Sequence, residues 1–268
     1  MIGEGRGKRG VGGVVPAKQE RPGTRVRDAR VAISQRGHLA EIVLDLRSSG
    51  GRLTPEAAQS LAEACERCDD DDVWVVLLRS PGRDFCVGMD ADDAAVPDFV
   101  AALASIRQPV VASVRGRAEA EGFELALAAD LRVVESQTRF RLPQVARGAL
   151  PAFGATQRLP RTIGVERALR VILLGEAVEG RTALDWGLAS RIAQSADRDA
   201  RALATELLER GPIALRFAKE AVTRAADLTL DDGARFEHDL YVLLETTRDR
   251  AEGVRAFLEK RKPKFRGD

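Results

Sequence analysis

The chain is expected to fold as an α/β domain followed by a helical C-terminal region. Three features of the sequence predict this. Short apolar runs alternate with helix-spaced segments up to about residue 159. Beyond that point helical periodicity dominates. Glycine, proline and polar turns punctuate both parts where one segment has to end.

Residues 1–30 are rich in Gly, Arg, Lys and Pro, lack periodicity, and are expected to form a flexible tail. Gly5-x-Gly7-x-x-Gly10 matches the spacing of a dinucleotide fingerprint. That motif needs a strand before it and a helix after it, and the flanking residues predict neither. Leu39–Arg47 alternates apolar and charged residues, as a strand does. Pro55–Arg67 has helical spacing, with Thr54 placed as its N-cap. Val73–Arg79 and Pro109–Val114 are apolar runs of the kind that form strands buried on both faces. Gly122–Ala129 reads as a buried helix and Leu131–Glu135 as a return to strand. Helices are expected over Val165–Leu174, Arg198–Arg210, Ile213–Ala226, Leu230–Thr247 and Arg250–Lys260. The expected divisions are the tail at 1–30, a core at 31–200 and a helical region at 201–268.

The chain carries 42 basic and 41 acidic residues, so its balance points to neither nucleic acid nor a membrane surface as partner. Its apolar runs are too short to span a bilayer. Three cysteines make no disulfide framework, and a reduced, cytoplasmic protein is expected.

Two glycine-containing turns follow two of the buried runs. One is Phe85-Cys86-Val87-Gly88-Met89-Asp90, after Val73–Arg79. The other runs from Gly116 to Glu124, after Pro109–Val114, and opens into a helix. A helix start leaves N–H groups unpaired and carries partial positive charge. Two such turns facing each other could hold the oxygen of a polarised carbonyl and stabilise an enolate-like intermediate. The same glycines could equally do no more than form tight turns.

From Phe85 onward the chain resembles the enoyl-CoA hydratase/isomerase (crotonase) family. The first turn is similar to the family's F-C-x-G-x-D, and Gln108–Val114 to its K-P-V-I-A-A-V. Gly116-x-Ala118-x-Ala120-x-Gly122-x-Glu124-Leu125-Ala126-Leu127-Ala128-Ala129-Asp130 resembles G-x-A-x-G-x-G-x-E-L-A-L-A-C-D. Pro151-x-x-Gly154-x-Thr156-Gln157-Arg158-Leu159 resembles P-G-x-G-x-T-Q-R-L. Later segments, Ala183 to Ala189 and Phe257 to Phe265, match the family's closing motifs.

The resemblance implies a spiral of ββα units and a C-terminal helical region used for trimerisation, giving a homotrimer or a dimer of trimers. It implies an acyl-CoA thioester as substrate, with coenzyme A part of that substrate, no separate cofactor and no metal. The N–H groups of Met89 and Glu121 would form the oxyanion hole. Val87, Asp90, Ala91, Ala120, Pro143 and Ala152 would line the substrate, and Lys260 would reach the CoA phosphates.

The family's hydratases use two glutamates, one working on water and one delivering a proton to the α-carbon. The first corresponds to Glu124. The second corresponds to Gln144, which can orient water but cannot exchange a proton at neutral pH. Glu121 stands where the family often has a small residue. Its side chain is expected to point away from the pocket; pointing inward, it or Glu119 could replace the missing carboxylate. Ala120 replaces a family glycine, so its turn is expected to avoid positive φ. Ser49-Gly50-Gly51-Arg52-Leu53 keeps only the last residue of the family's A-L-N-A-L. Hydration or dehydration through Glu124 and Gln144 is the expected reaction. Isomerisation or thioester hydrolysis on the same scaffold, and acyl-CoA binding without turnover, are the alternatives.

The remaining chemical side chains are expected to be structural. His38 and His238 lie outside the motifs. Cys65-x-x-Cys68 lacks a second ligand pair, and Cys86 reads as a packed small side chain. Asp69–Asp72 reads as a solvated turn, and Asp130 as an anchor for the strand that follows it.

Overall fold

A computed structural model of the chain describes residues 30–90 and 95–268. The Gly5–Gly10 spacing, nearly all of the expected tail, and Ala91 lie outside these residues.

Strand β1 (Arg30–Arg36) turns back at Gly37 into antiparallel β2 (Leu39–Asp45). Helix α1 (Pro55–Cys68) follows. The Thr54 hydroxyl accepts from Ala57 N–H at 3.2 Å and Pro55 occupies the first turn, as the sequence predicts. Next come β3 (Val75–Arg79), α2 (Phe99–Ser105), β4 (Val110–Val114), β5 (Arg117–Glu119) and α3 (Glu121–Ala128). They are followed by β6 (Leu131–Glu135), β7 (Arg139–Arg141), α4 (Ala155–Ile163) and α5 (Val165–Leu174). The chain continues through β8 (Val178–Glu179), α6 (Gly180–Asp185), β9 (Arg191–Ala193) and α7 (Ala196–Leu208). It ends in α8 (Pro212–Arg224), α9 (Leu230–Glu245) and α10 (Arg248–Leu258).

The main sheet has the order β1-β2-β3-β4-β6-β9, parallel from β2 onward. A second, shorter layer runs beside it. Leu53 bridges Met89, Cys86 bridges Ala118, and β5 pairs with β7. Each circuit is therefore one strand of the sheet, one extended segment of the second layer, and one helix. Four such circuits stack as a spiral, ending in α1, α2, α3 and α4. Because every circuit repeats the same path, the loops that follow successive strands fall beside one another.

Both faces of the sheet are covered, which is why β3 and β4 read as unbroken apolar runs. Ile42, Leu44, Val76, Leu78, Ala112 and Val114 face the core with α1 to α3. Trp74, Val75, Leu77, Val111 and Val133 face Ala200 and Ala204 of α7. The boundary expected at residue 200 thus falls inside α7, a helix that belongs to the core because its small residues seat on the sheet. Glu41 of β2 receives both Arg79 and Arg201, pinning α7 across the sheet edge.

Two further expectations change. Asp69 and Asp71 pair with Arg107, and Asp71 also with Arg216 of α8, so this turn is a docking point and not merely solvated. The Asp130 carboxylate accepts from Val110 N–H at 2.7 Å and pairs with Lys219 at 2.7 Å. It anchors the start of β4, not the strand that follows it. His38 is structural: its ring stacks on Trp74 at 3.8 Å and bonds the Asp72 carbonyl. No helix among the described residues is long and apolar enough to cross a membrane.

Candidate active site

The turn after β3 lies between two neighbours. On one edge Cys86 N–H donates to Arg117 O at 3.2 Å, and Cys86 O accepts from Glu119 N–H at 2.9 Å. On the other edge Leu53 N–H donates to Gly88 O at 2.9 Å, and Asp90 N–H donates to Leu53 O at 2.8 Å. A parallel bridge that uses Gly88 and Asp90 turns the N–H and C=O of Met89 away from Leu53, toward the second turn. The Met89 carbonyl accepts from Arg52 at 2.7 Å. The Met89 N–H has no partner among the described residues.

The second turn supplies the other donor. α3 begins at Glu121, whose N–H is likewise unpartnered among the described residues. Its N-cap, Ala120, has φ 50° and ψ −122°. This corrects the expectation that alanine there avoids positive φ. The conformation is imposed from both sides: Ala120 N–H donates to Arg141 O, while its carbonyl accepts from Phe123 and Glu124 N–H. Gly122 explains how the turns meet. A Cβ there would collide with the carbonyl oxygen of Cys86, so only glycine lets α3 rest on the first turn.

Glu124 sits one turn further along α3, completely buried. Its Oε1 accepts from Phe153 N–H at 2.8 Å and Ala155 N–H at 3.1 Å, at the start of α4. Its Oε2 is buried with no partner. Burial pushes the Glu124 carboxyl above the usual carboxylate range; the two N–H groups oppose that rise and the charge of Glu121 adds to it. The side chain is thus held by one oxygen and free at the other, as a base needs to be.

Gln144 follows the buried Pro143 and begins a 3₁₀ turn, Val145–Arg147. The bond from Ala120 N–H to Arg141 O ties this segment to the start of α3. Gln144 is 9 % exposed, and neither its amide oxygen nor its nitrogen has a partner. Leaving such atoms unpaired costs ~1–3 kcal/mol each, so the place suits a water or a polar ligand.

The Glu121 carboxylate lies beside the first turn, its Oε2 3.2 Å from where a Cβ on Gly88 would stand. Glu119 belongs to β5, half-buried, with its N–H committed to Cys86. Val87 is half-buried and bonds Gly51 O, and Asp90 is exposed and paired with Arg52. Ala152 is exposed beside Phe153. Lys260 lies just beyond α10 at φ 54° and makes no hydrogen bond or ion pair with the centre. Cys86 is buried, its thiol pushed up to about 12 by burial, which fits packing and not nucleophilic attack.

Three residues beside the site escaped the sequence. Phe153 and Ala155 act through backbone N–H groups, for which the only signal was a helix start after Pro151. Arg52 acts through a long side chain, signalled by a cation where the motif has a small residue.

Against known proteins, the profile of the Enoyl-CoA hydratase/isomerase family matches residues 35–268. The chain belongs to this family. It is 34 % identical over 253 residues to the probable enoyl-CoA hydratase echA8 of Mycobacterium bovis, covering 89 % of this chain and 95 % of that protein. It is 32 % identical to the (E)-benzylidenesuccinyl-CoA hydratase of Thauera aromatica, covering 88 % and 99 %. A solved enoyl-CoA hydratase subunit from Geobacillus kaustophilus superposes with a TM-score of 0.82 at 35 % identity, covering 89 % and 98 %. The spiral is therefore the crotonase fold, and the chain stands with the hydratase-type enzymes of its family.

Proposed function

We propose that the protein adds water across the double bond of a 2-enoyl-CoA, and removes it in reverse, using one carboxylate. The thioester oxygen binds between the N–H groups of Met89 and Glu121. Water sits against the free Oε2 of Glu124 and the unpaired amide of Gln144. Glu124 takes a proton from the water as its oxygen bonds to the β-carbon. Charge moves onto the thioester oxygen as an enolate, which the two N–H groups stabilise. Glu124 then returns the proton to the α-carbon as the enolate collapses. Gln144 orients the water and exchanges no proton.

The observation that carries this reading is the unequal satisfaction of Glu124: Oε1 holds two backbone N–H groups and Oε2 none. No cofactor enters the scheme, since coenzyme A arrives with the substrate. Self-association as a trimer belongs to the same proposal. It is supported by apolar side chains left in solvent on the last two helices, notably Leu230 (89 % exposed), Phe257 (82 %) and Leu258. A cytoplasmic setting is supported by three buried, unpaired cysteines.

The test is loss of the conjugated thioester absorbance with purified protein and 2-enoyl-CoAs of short and medium chain. Turnover that Glu124→Gln reduces by ~10²–10⁴ is expected. An unchanged rate in that variant refutes the assignment. Binding without turnover at every chain length favours the alternative that Gln144 itself raises, an acyl-CoA-binding homologue that has lost catalysis.

A further inference from the structure

Arg52 is built into the first turn from a distant part of the chain. Its Nε pairs with the Asp90 carboxylate, one terminal nitrogen donates to Met89 O at 2.7 Å, and the other to Val87 O at 3.3 Å. Three acceptors on one four-residue stretch make a clamp rather than a surface contact. The clamp straddles Gly88, with its two terminal nitrogens 3.3 and 3.5 Å from the point where a Gly88 Cβ would stand. Glu121 Oε2 is 3.2 Å from the same point, so a carboxylate and a guanidinium flank one glycine. Gly88 has φ 124° and leaves the space both of them use.

The position has electrostatic consequences. The Met89 carbonyl that Arg52 holds lies on the same edge of the turn as the unpartnered Met89 N–H. A charge there acts on whatever oxygen that N–H binds. Glu121 brings a carboxylate to the same place, beside the ion pair that Arg52 makes with Asp90.

We propose that Arg52 is a positioning residue of the oxyanion hole, fixing the edge of the turn that presents the Met89 N–H. This rests on the oxyanion hole of the proposed function. A planar fork matters because two carbonyls and a carboxylate are held at once, a geometry an ammonium cannot reproduce.

The test reads polarisation of a bound thioester, apart from turnover. The probe is cinnamoyl-CoA carrying a para-dimethylamino group, whose absorbance moves to longer wavelength when its carbonyl is polarised. Wild-type protein should produce the shift. Arg52→Met should bind the probe but lose most of the shift, and should lower kcat about 100-fold with KM little changed. Arg52→Lys, which keeps charge without the fork, should fall between them. A full shift in Arg52→Met, or wild-type shift and kcat in Arg52→Lys, overturns the proposal. A wild-type protein that binds the probe without any shift overturns the hydratase reading itself, a result distinct from failure of Arg52 alone.

Discussion

The two turns that face each other at the centre present one unpaired N–H each, but hold it by different means. The turn after β3 is held by pairing on both edges and by the Arg52 clamp, which comes from the loop after β2. The turn after β4 is held by backbone pairing with Cys86 and Arg141 and by Ala120, which caps α3 in a conformation that suits glycine. The first turn relies on glycine at Gly88, and the second tolerates alanine where glycine would be relaxed. The difference teaches that a backbone donor can be placed either by a remote side chain or by local strain, provided the surroundings over-determine it. It also separates the tasks: only the second turn continues into the helix carrying Glu124.

The largest effect should come from the point where the turns touch. Gly122→Ala places a Cβ against the Cys86 carbonyl and must push the turns apart. Hydratase activity should fall by more than ~10²-fold, with a stability loss of roughly 1–3 kcal/mol in thermal or denaturant unfolding. Wild-type kinetics in that variant would mean the contact does not set the site.

The acid carried by the second turn alone should show in a pH profile. In the proposed mechanism hydration needs Glu124 ionised, and burial raises its pKa above 4.5. Activity should therefore be present above the raised pKa and fall about tenfold per pH unit below it. The low-pH limb should sit above the ordinary carboxylate range. Residual activity of Glu124→Gln should lack that limb.

Exchanging alanine and glycine in opposite directions compares the turns directly. Gly88→Ala forces φ 124° on an L-residue and crowds Arg52 and Glu121, so it should cost roughly 1–3 kcal/mol. Ala120→Gly relieves φ 50° at the expense of a looser unfolded chain, so it should be neutral or stabilising by up to about 1 kcal/mol. Calorimetry on the pair decides it; destabilisation by both would refute strain at Ala120.

The smallest effect should come from outside both turns. Glu41 is held below the usual carboxylate range chiefly by its bond to Arg201, against the opposing cost of burial. A lowered folded pKa stabilises above the unfolded pKa and is lost as pH falls through the folded one. Glu41→Gln should cost about 1 kcal/mol near neutral pH, flatten stability across the acid range, and leave kcat unchanged. A change in kcat would show that α7 couples to the turns.

Legibility in the sequence followed how local each cause was. Val165–Leu174 matches its expected bounds because a 3.6-residue apolar pattern ends at Gly175. Thr54 capped its helix as read, since the cap bond spans three residues. The short strands β5, β7 and β8 had too few residues to show a period, and exist by pairing with one another. Asp69 and Asp71 looked solvated because their arginine partners are remote in the chain.

By itself the sequence determined the α/β class and the family, and it named Glu124 and Gln144 as the candidate pair. Those rest on residue type and order. Only the tertiary structure decided that Ala120 takes positive φ, that Glu121 turns toward Gly88, and that Arg52 grips the first turn. Each depends on groups brought together by stacked circuits of the spiral, and a one-dimensional pattern records no contact between them.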